Sequence, residues 1–123
     1  MSNALDLLLK AELPGVPEKE FKMKRLSELC GADVVFSLKA LSYSRVADIR
    51  ETCKGENMSV HIVLAGVTSP DLKSKELLEK YRAATPVELV KAMLLPGEVE
   101  DLGREIEKLS GFRQNTVEEV KKK

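Results

Sequence analysis

Hydrophobic residues recur along this chain in short runs, each closed by a proline, a glycine or a capping side chain. Leu5, Leu8 and Leu9 fall on one face at helical spacing, behind Ser2 and Asn3, either of which can cap a helix from Ala4 to about Lys10. Pro14, Gly15 and Pro17 stop it. Two turns of helix are marginal alone, so the segment needs a surface to dock on. Its own domain is one candidate; a neighbouring subunit or a partner is the other.

The pattern then changes from a helical period to alternation. Residues 19–26 place Phe21 and Met23 between lysines, which predicts a half-buried edge strand blunted by charge. Residues 34–41 alternate more clearly: Val34, Phe36, Leu38 and Ala40 point one way, Val35, Ser37 and Lys39 the other. Gly31 and Asp33 supply turn chemistry between them, so the two segments read as an antiparallel pair. Two strands are unstable alone, and helices must cover their apolar face.

Ser42 or Ser44 can cap the next helix, which runs to about Lys54 with Val46, Ile49 and Cys53 on one stripe and Gly55 as its stop. Residues 57–67 fit two descriptions. Val60, Ile62 and Leu64 alternate as in a strand, while Met58, Ile62 and Ala65 share a helical face. Periodicity alone does not separate these for so short an apolar run.

Residues 68–112 are the most densely punctuated stretch and predict three short helices. Ser69-Pro70-Asp71 opens the first, with Leu72, Leu77, Leu78 and Tyr81 as its apolar residues. Thr85-Pro86-Val87-Glu88 is a capping box for the second, which ends near Leu95 because Pro96 follows. The third carries Val99, Leu102, Ile106 and Leu109 on a single stripe, with a Glu100–Arg104 pair outside. Gly111 is a left-handed stop from which Phe112 can fold back. The sum is an α+β fold, mostly α-helical: a small antiparallel β-hairpin near the N-terminus packed on a bundle of about five short helices. Residues 1–112 form one domain, with 1–17 as an N-terminal helical arm, and 113–123 a charged tail.

Charge and composition narrow the function. Twenty basic residues balance twenty acidic ones, which argues against a nucleic-acid binder that neutralises phosphates. No apolar run is long enough to span a bilayer. Cys30 and Cys53 have no metal-ligand spacing, His61 is the only histidine, and no phosphate-binding loop or nucleophile elbow is present. The many carboxylates fall on solvated helix faces. No catalytic, cofactor or metal site is expected, and two thiols without a signal peptide point to the cytoplasm.

The run from Pro70-Asp71-Leu72 through Leu77, Tyr81 and Met93-Leu94-Leu95-Pro96-Gly97-Glu98 to Leu109-Ser110-Gly111-Phe112 resembles the XkdN-like family of phage tail assembly chaperones. Phe36 to Leu41, the helix bearing Asp48, Ile49 and Arg50, and the leucine-rich N-terminus extend the resemblance over nearly the whole chain. Such proteins are encoded by contractile-tailed phages, PBSX-type prophages and phage-tail-like bacteriocins. The resemblance implies a helix at 57–67. It also implies a non-enzymatic chaperone that binds the tape-measure protein in the host cytoplasm and is absent from the mature particle. The tail tube protein and a second copy of the chain are further partners it allows. It allows, too, a longer frameshifted product if Lys121 to Lys123 are encoded by a slippery run.

A holdase needs apolar surface that a client covers reversibly. The candidates are Leu5, Leu8 and Leu9 on the arm and Met93, Leu94 and Leu95 at the turn, each of which core packing would also explain. The alternative functions are a connector or completion protein of the tail and a bacterial protein-interaction domain.

Overall fold

The computed structural model describes residues 3–53 and 55–121, in which a three-stranded antiparallel sheet sits among seven α-helices. The elements run α1 (Ala4–Lys10), β1 (Glu18–Lys22), α2 (Lys24–Cys30), β2 (Val35–Lys39), α3 (Tyr43–Thr52), α4 (Met58–Gly66), β3 (Val67–Ser69), α5 (Lys75–Lys80), α6 (Pro86–Met93) and α7 (Pro96–Leu109). This is the mostly helical α+β class that the sequence predicts. The candidate cap Ser2, the expected helix end at Lys54 and the terminal Lys122 and Lys123 lie outside the described residues.

Alternation sets the sheet. Phe36 and Leu38 of β2 are buried while Val35 and Lys39 are exposed. β1 pairs antiparallel along one side of β2, with Phe21 opposite Phe36. The charged β1 is therefore an edge strand, as its lysines predict.

The connection is not a turn. Residues 24–30, expected partly in the first strand, form α2 instead. Lys, Arg, Leu and Glu are good helix formers, and no β-branched residue interrupts them. The Ser27 amide donates to the Met23 carbonyl (2.9 Å), and the Val34 amide donates to Ser27 Oγ (2.8 Å), tying the helix to the start of β2. Gly31, at φ 69°, ends α2 in the left-handed conformation. β3 is a second addition, pairing with the other side of β2 through Ser69–Ser37 and Val67–Leu38.

Residues 57–67 resolve as helix up to Gly66, and the reason is topological. α4 runs between α3, α6 and α7. Val60, Val63 and Gly66 are buried, and Met58, Ile62, Leu64 and Ala65 are half-buried. A helix apolar on every side belongs in the middle of a fold. Its last turn lies so close to α7 that a Cβ on Gly66 would fall 2.5 Å from Ile106 Cδ1. Around it, Phe36 and Leu38 meet Val90 and Leu94 of α6 and Val99, Leu102 and Ile106 of α7 in one core.

The helix expected from Asp71 begins later. Asp71 Oδ1 accepts from the Lys73 amide (2.9 Å), and Leu72 turns into the core. Ser74 is then the cap, and α5 starts at Lys75. Thr85 caps α6 by accepting from the Glu88 amide (3.2 Å), while Glu88 reaches back to the Ala84 amide (2.9 Å), one residue earlier than a strict capping box. Arg104 pairs with Asp101 (3.3 Å) rather than Glu100, a one-turn choice between exposed carboxylates. Residues 115–121 form neither helix nor strand.

Candidate functional site

An exposed arm and a half-open groove are prominent apolar surfaces among the described residues. The arm is α1. Asn3 Oδ1 accepts from the Asp6 amide (2.9 Å) and caps it, and no residue of the helix is buried. Leu5, Leu8 and Leu9 are 64%, 70% and 75% exposed, and Leu13 and Val16 behind them are also uncovered. In this structure the arm is therefore not buried against its own domain. Residues 11–17 join the arm to β1 without turn or bend, and the Pro17 carbonyl accepts from the Ala40 amide (2.9 Å) where the linker enters the domain.

The groove lies between α3, the half-buried Met58–Ile62 side of α4 and the end of α7. Val46, Ile49, Met58, Ile62 and Phe112 line an inner recess of about 90 Å³, and Tyr43, Ala47 and Glu51 border a wider cleft of about 550 Å³ beside it. Leu41, Val46, Arg50, Ser110 and Phe112 line both. Two local devices hold the walls. Gly111, at φ 94°, closes α7: its amide donates to the Lys108 carbonyl (3.1 Å) and the Phe112 amide to the Glu107 carbonyl (2.9 Å). That pair of bonds is the Schellman arrangement, and it turns Phe112 back over the helix end. Ser110 Oγ accepts from the Leu41 amide (2.8 Å) and donates to the Ile106 carbonyl (2.8 Å), fixing the chain after β2 against α7. The Arg50 guanidinium stacks 5.3 Å from the Phe112 ring centroid and caps the apolar wall with charge.

The turn at 93–95 divides in three. Leu94 is 4% exposed and belongs to the core, Met93 is half-buried against it, and Leu95 is 52% exposed. Here the strongest polar network of the fold forms. Arg25 donates to both carboxylate oxygens of Glu98 (Nη2–Oε1 2.8 Å, Nε–Oε2 3.1 Å) and to the Met93 carbonyl (3.0 Å). Glu98 in turn accepts from the Leu95 amide (2.7 Å), the carboxylate half of a capping box for α7. Hydrogen bonding from Arg25 is the main force holding the Glu98 carboxyl below its ordinary range; burial opposes it, and the Leu95 amide adds to it. The Met93-to-Glu98 run is thus explained as architecture, a turn clamped onto α2.

Among the described residues, no three His, Cys, Asp or Glu side chains gather, and every buried side-chain nitrogen or oxygen has a partner. Cys30 is exposed and Cys53 half-buried, both free. No helix of the described residues is long and apolar enough to cross a membrane. The sequence singled out the arm but not the groove, whose lining comes from three elements. The Gly111 stop was its one local hint.

An undocked apolar arm and an apolar groove with a charged rim are surfaces of the kind that a protein partner covers. The chain belongs to the phage XkdN-like tail assembly chaperone family, which it matches over residues 5–122. Its fold is similar to that of the protein YqbN, a structural genomics target, in a crystal structure with a TM-score of 0.70. Sequence identity is 24%, covering 91% of this chain and 99% of that one. Among curated proteins, no sequence matches it.

Proposed function

We propose that the chain is a non-enzymatic holdase for the tape-measure protein during tail assembly, taking an amphipathic helical segment of that client into the groove of Phe112. The observation that carries this reading is the groove itself, a half-open apolar recess rimmed by Arg50 and Glu107 in a protein of a tail assembly chaperone family. Helix-in-groove binding suits a helical client segment, because apolar residues at i, i+3, i+4 and i+7 fill such a recess while the client's polar face stays in water. Leu5, Leu8 and Leu9 on the arm, with Leu95 at the turn, extend the contact to further client segments. Met93 and Leu94 support the turn from inside.

Co-expression with the tape-measure protein tests it. The client should stay soluble and co-purify with this chain, and Val46→Asp in the groove should abolish retention without unfolding the domain. A tape-measure protein equally soluble without the chain overturns the reading. The same reading places the chain in the host cytoplasm during assembly and leaves it out of the finished particle. Mass spectrometry of purified particles checks that, since a connector or completion protein would be found in them.

A further inference from the structure

The arm and the groove are two uncovered apolar surfaces on one chain, and the linker between them bears on what covers each. It leaves the domain at Pro17, whose carbonyl is bonded to the Ala40 amide, one residue before the groove-lining Leu41. From there seven residues, Ala11 to Pro17, run without turn or bend and carry Pro14 and Pro17. Extended, proline-bearing chain advances about 3.1 Å per residue, so these seven residues let the arm reach roughly 20 Å beyond its root.

We infer that the arm of one copy seats in the groove of a second copy, giving a symmetric dimer by reciprocal arm exchange. The groove is taken from the reading above. In this state Leu5, Leu8 and Leu9 fill the recess that the client occupies in the chaperone cycle. The root of each arm lies beside its own groove, so two copies facing at that edge place each arm at the other's recess, and one twofold axis satisfies both contacts. The charges are compatible. Asp6 and Lys10 stand one turn apart on the polar side of α1, and the groove's rim offers Arg50 against the acid and Glu51 or Glu107 against the base. Area also favours exchange over a single contact. One two-turn helix in a groove falls short of the roughly 1,200–2,000 Å² of a stable interface, and reciprocity doubles it. Client binding and self-association then compete for one recess, so an idle chaperone does not present bare leucines.

The test needs no client, so its failure leaves the holdase reading standing. The full chain should sediment with twice the mass of one chain, and deletion of residues 1–13 should return it to one. With Cys30→Ser and Cys53→Ser as background, Leu8→Cys in one preparation and Ala47→Cys in another should form a disulfide-linked heterodimer when mixed and oxidised. A monomer at every concentration overturns the proposal. So does a dimer that survives deletion of the arm. So does a disulfide formed within one chain when both cysteines are placed in the same molecule.

Discussion

Arg25 and Glu98, 73 residues apart in sequence, form a two-pronged ion pair that locks the start of α7 to α2. The same guanidinium holds the Met93 carbonyl, and the same carboxylate caps the Leu95 amide. One arginine thus organises both sides of a helix–turn–helix junction. The Arg25 and Glu98 side chains are 34% and 17% exposed, sheltered enough for this geometry to count for more than an ordinary surface pair.

Replacing Glu98 separates its two roles. Glu98→Ala removes the cap and the pair together and should cost about 1–2 kcal/mol. Glu98→Gln keeps an acceptor for Leu95 and should cost less. The pH dependence follows from the lowered carboxyl. In the unfolded chain Glu98 titrates near its ordinary value of 4.5, and in the fold below it. The stabilisation is therefore complete above the ordinary value and is lost as pH falls through the lower, folded one. Urea titrations from neutral pH into acid should show this loss in the parent chain, with that component missing in Glu98→Gln. An equal acid loss in both would mean the pair is not its source.

How much of this was legible depends on range. The Thr85–Pro86 start of α6 and the Gly111 stop of α7 are local signals, read from four consecutive residues and found in place. α2 is masked in the sequence because the alternation of Phe21 and Met23 continues into its first residues, although β1 itself ends at Lys22 and Met23 already stands at the helix N-cap. β3 has three residues and owes its existence to pairing with Ser37 and Leu38, which no window around Val67 contains. Helix or strand at 57–67 was undecidable locally, because a central helix loses its amphipathic period. The groove draws on residues 41–62 and 107–112 and is visible only once α3, α4 and α7 are packed. The Arg25 clamp is equally distant.

The contact between Gly66 and Ile106 makes a packing prediction. A methyl group on Gly66 would stand 2.5–2.7 Å from three carbons of the fully buried Ile106. Ile106 sits in the core and has little room to give. Gly66→Ala should destabilise the fold by about 1–3 kcal/mol, despite alanine's better helix propensity. Ile106→Ala opens space at the same spot, so the double variant should lose less than the two single losses added together. Additive losses in chemical denaturation would place the strain elsewhere.

The arm predicts the opposite behaviour. Since no residue of α1 is buried, deleting residues 1–13 should leave the unfolding free energy of the monomeric domain within about 0.5 kcal/mol of the full chain. The comparison is best made at low protein concentration, where association contributes nothing to the midpoint. A large drop would mean that the arm packs on its own domain after all.

Gly111 and Phe112 join the stability of α7 to the shape of the groove. At φ 94° any other L-residue is strained although nothing crowds the position, so Gly111→Ala should cost about 1 kcal/mol through backbone conformation alone. Relief of that strain comes by opening the two bonds from Gly111 and Phe112 to Lys108 and Glu107, which lets the Phe112 ring leave the recess and the Arg50 stack. Phe112→Ala removes the ring without touching the backbone. Both variants should retain less client in co-purification, but only Gly111→Ala should also fray the end of α7, seen as faster amide exchange at Ser110 and Phe112. Gly15→Ala is the control, since that glycine has neither a positive φ nor a close neighbour and should change neither readout. Full client retention by both variants would detach the groove from the chaperone's work and leave the arm as its binding element.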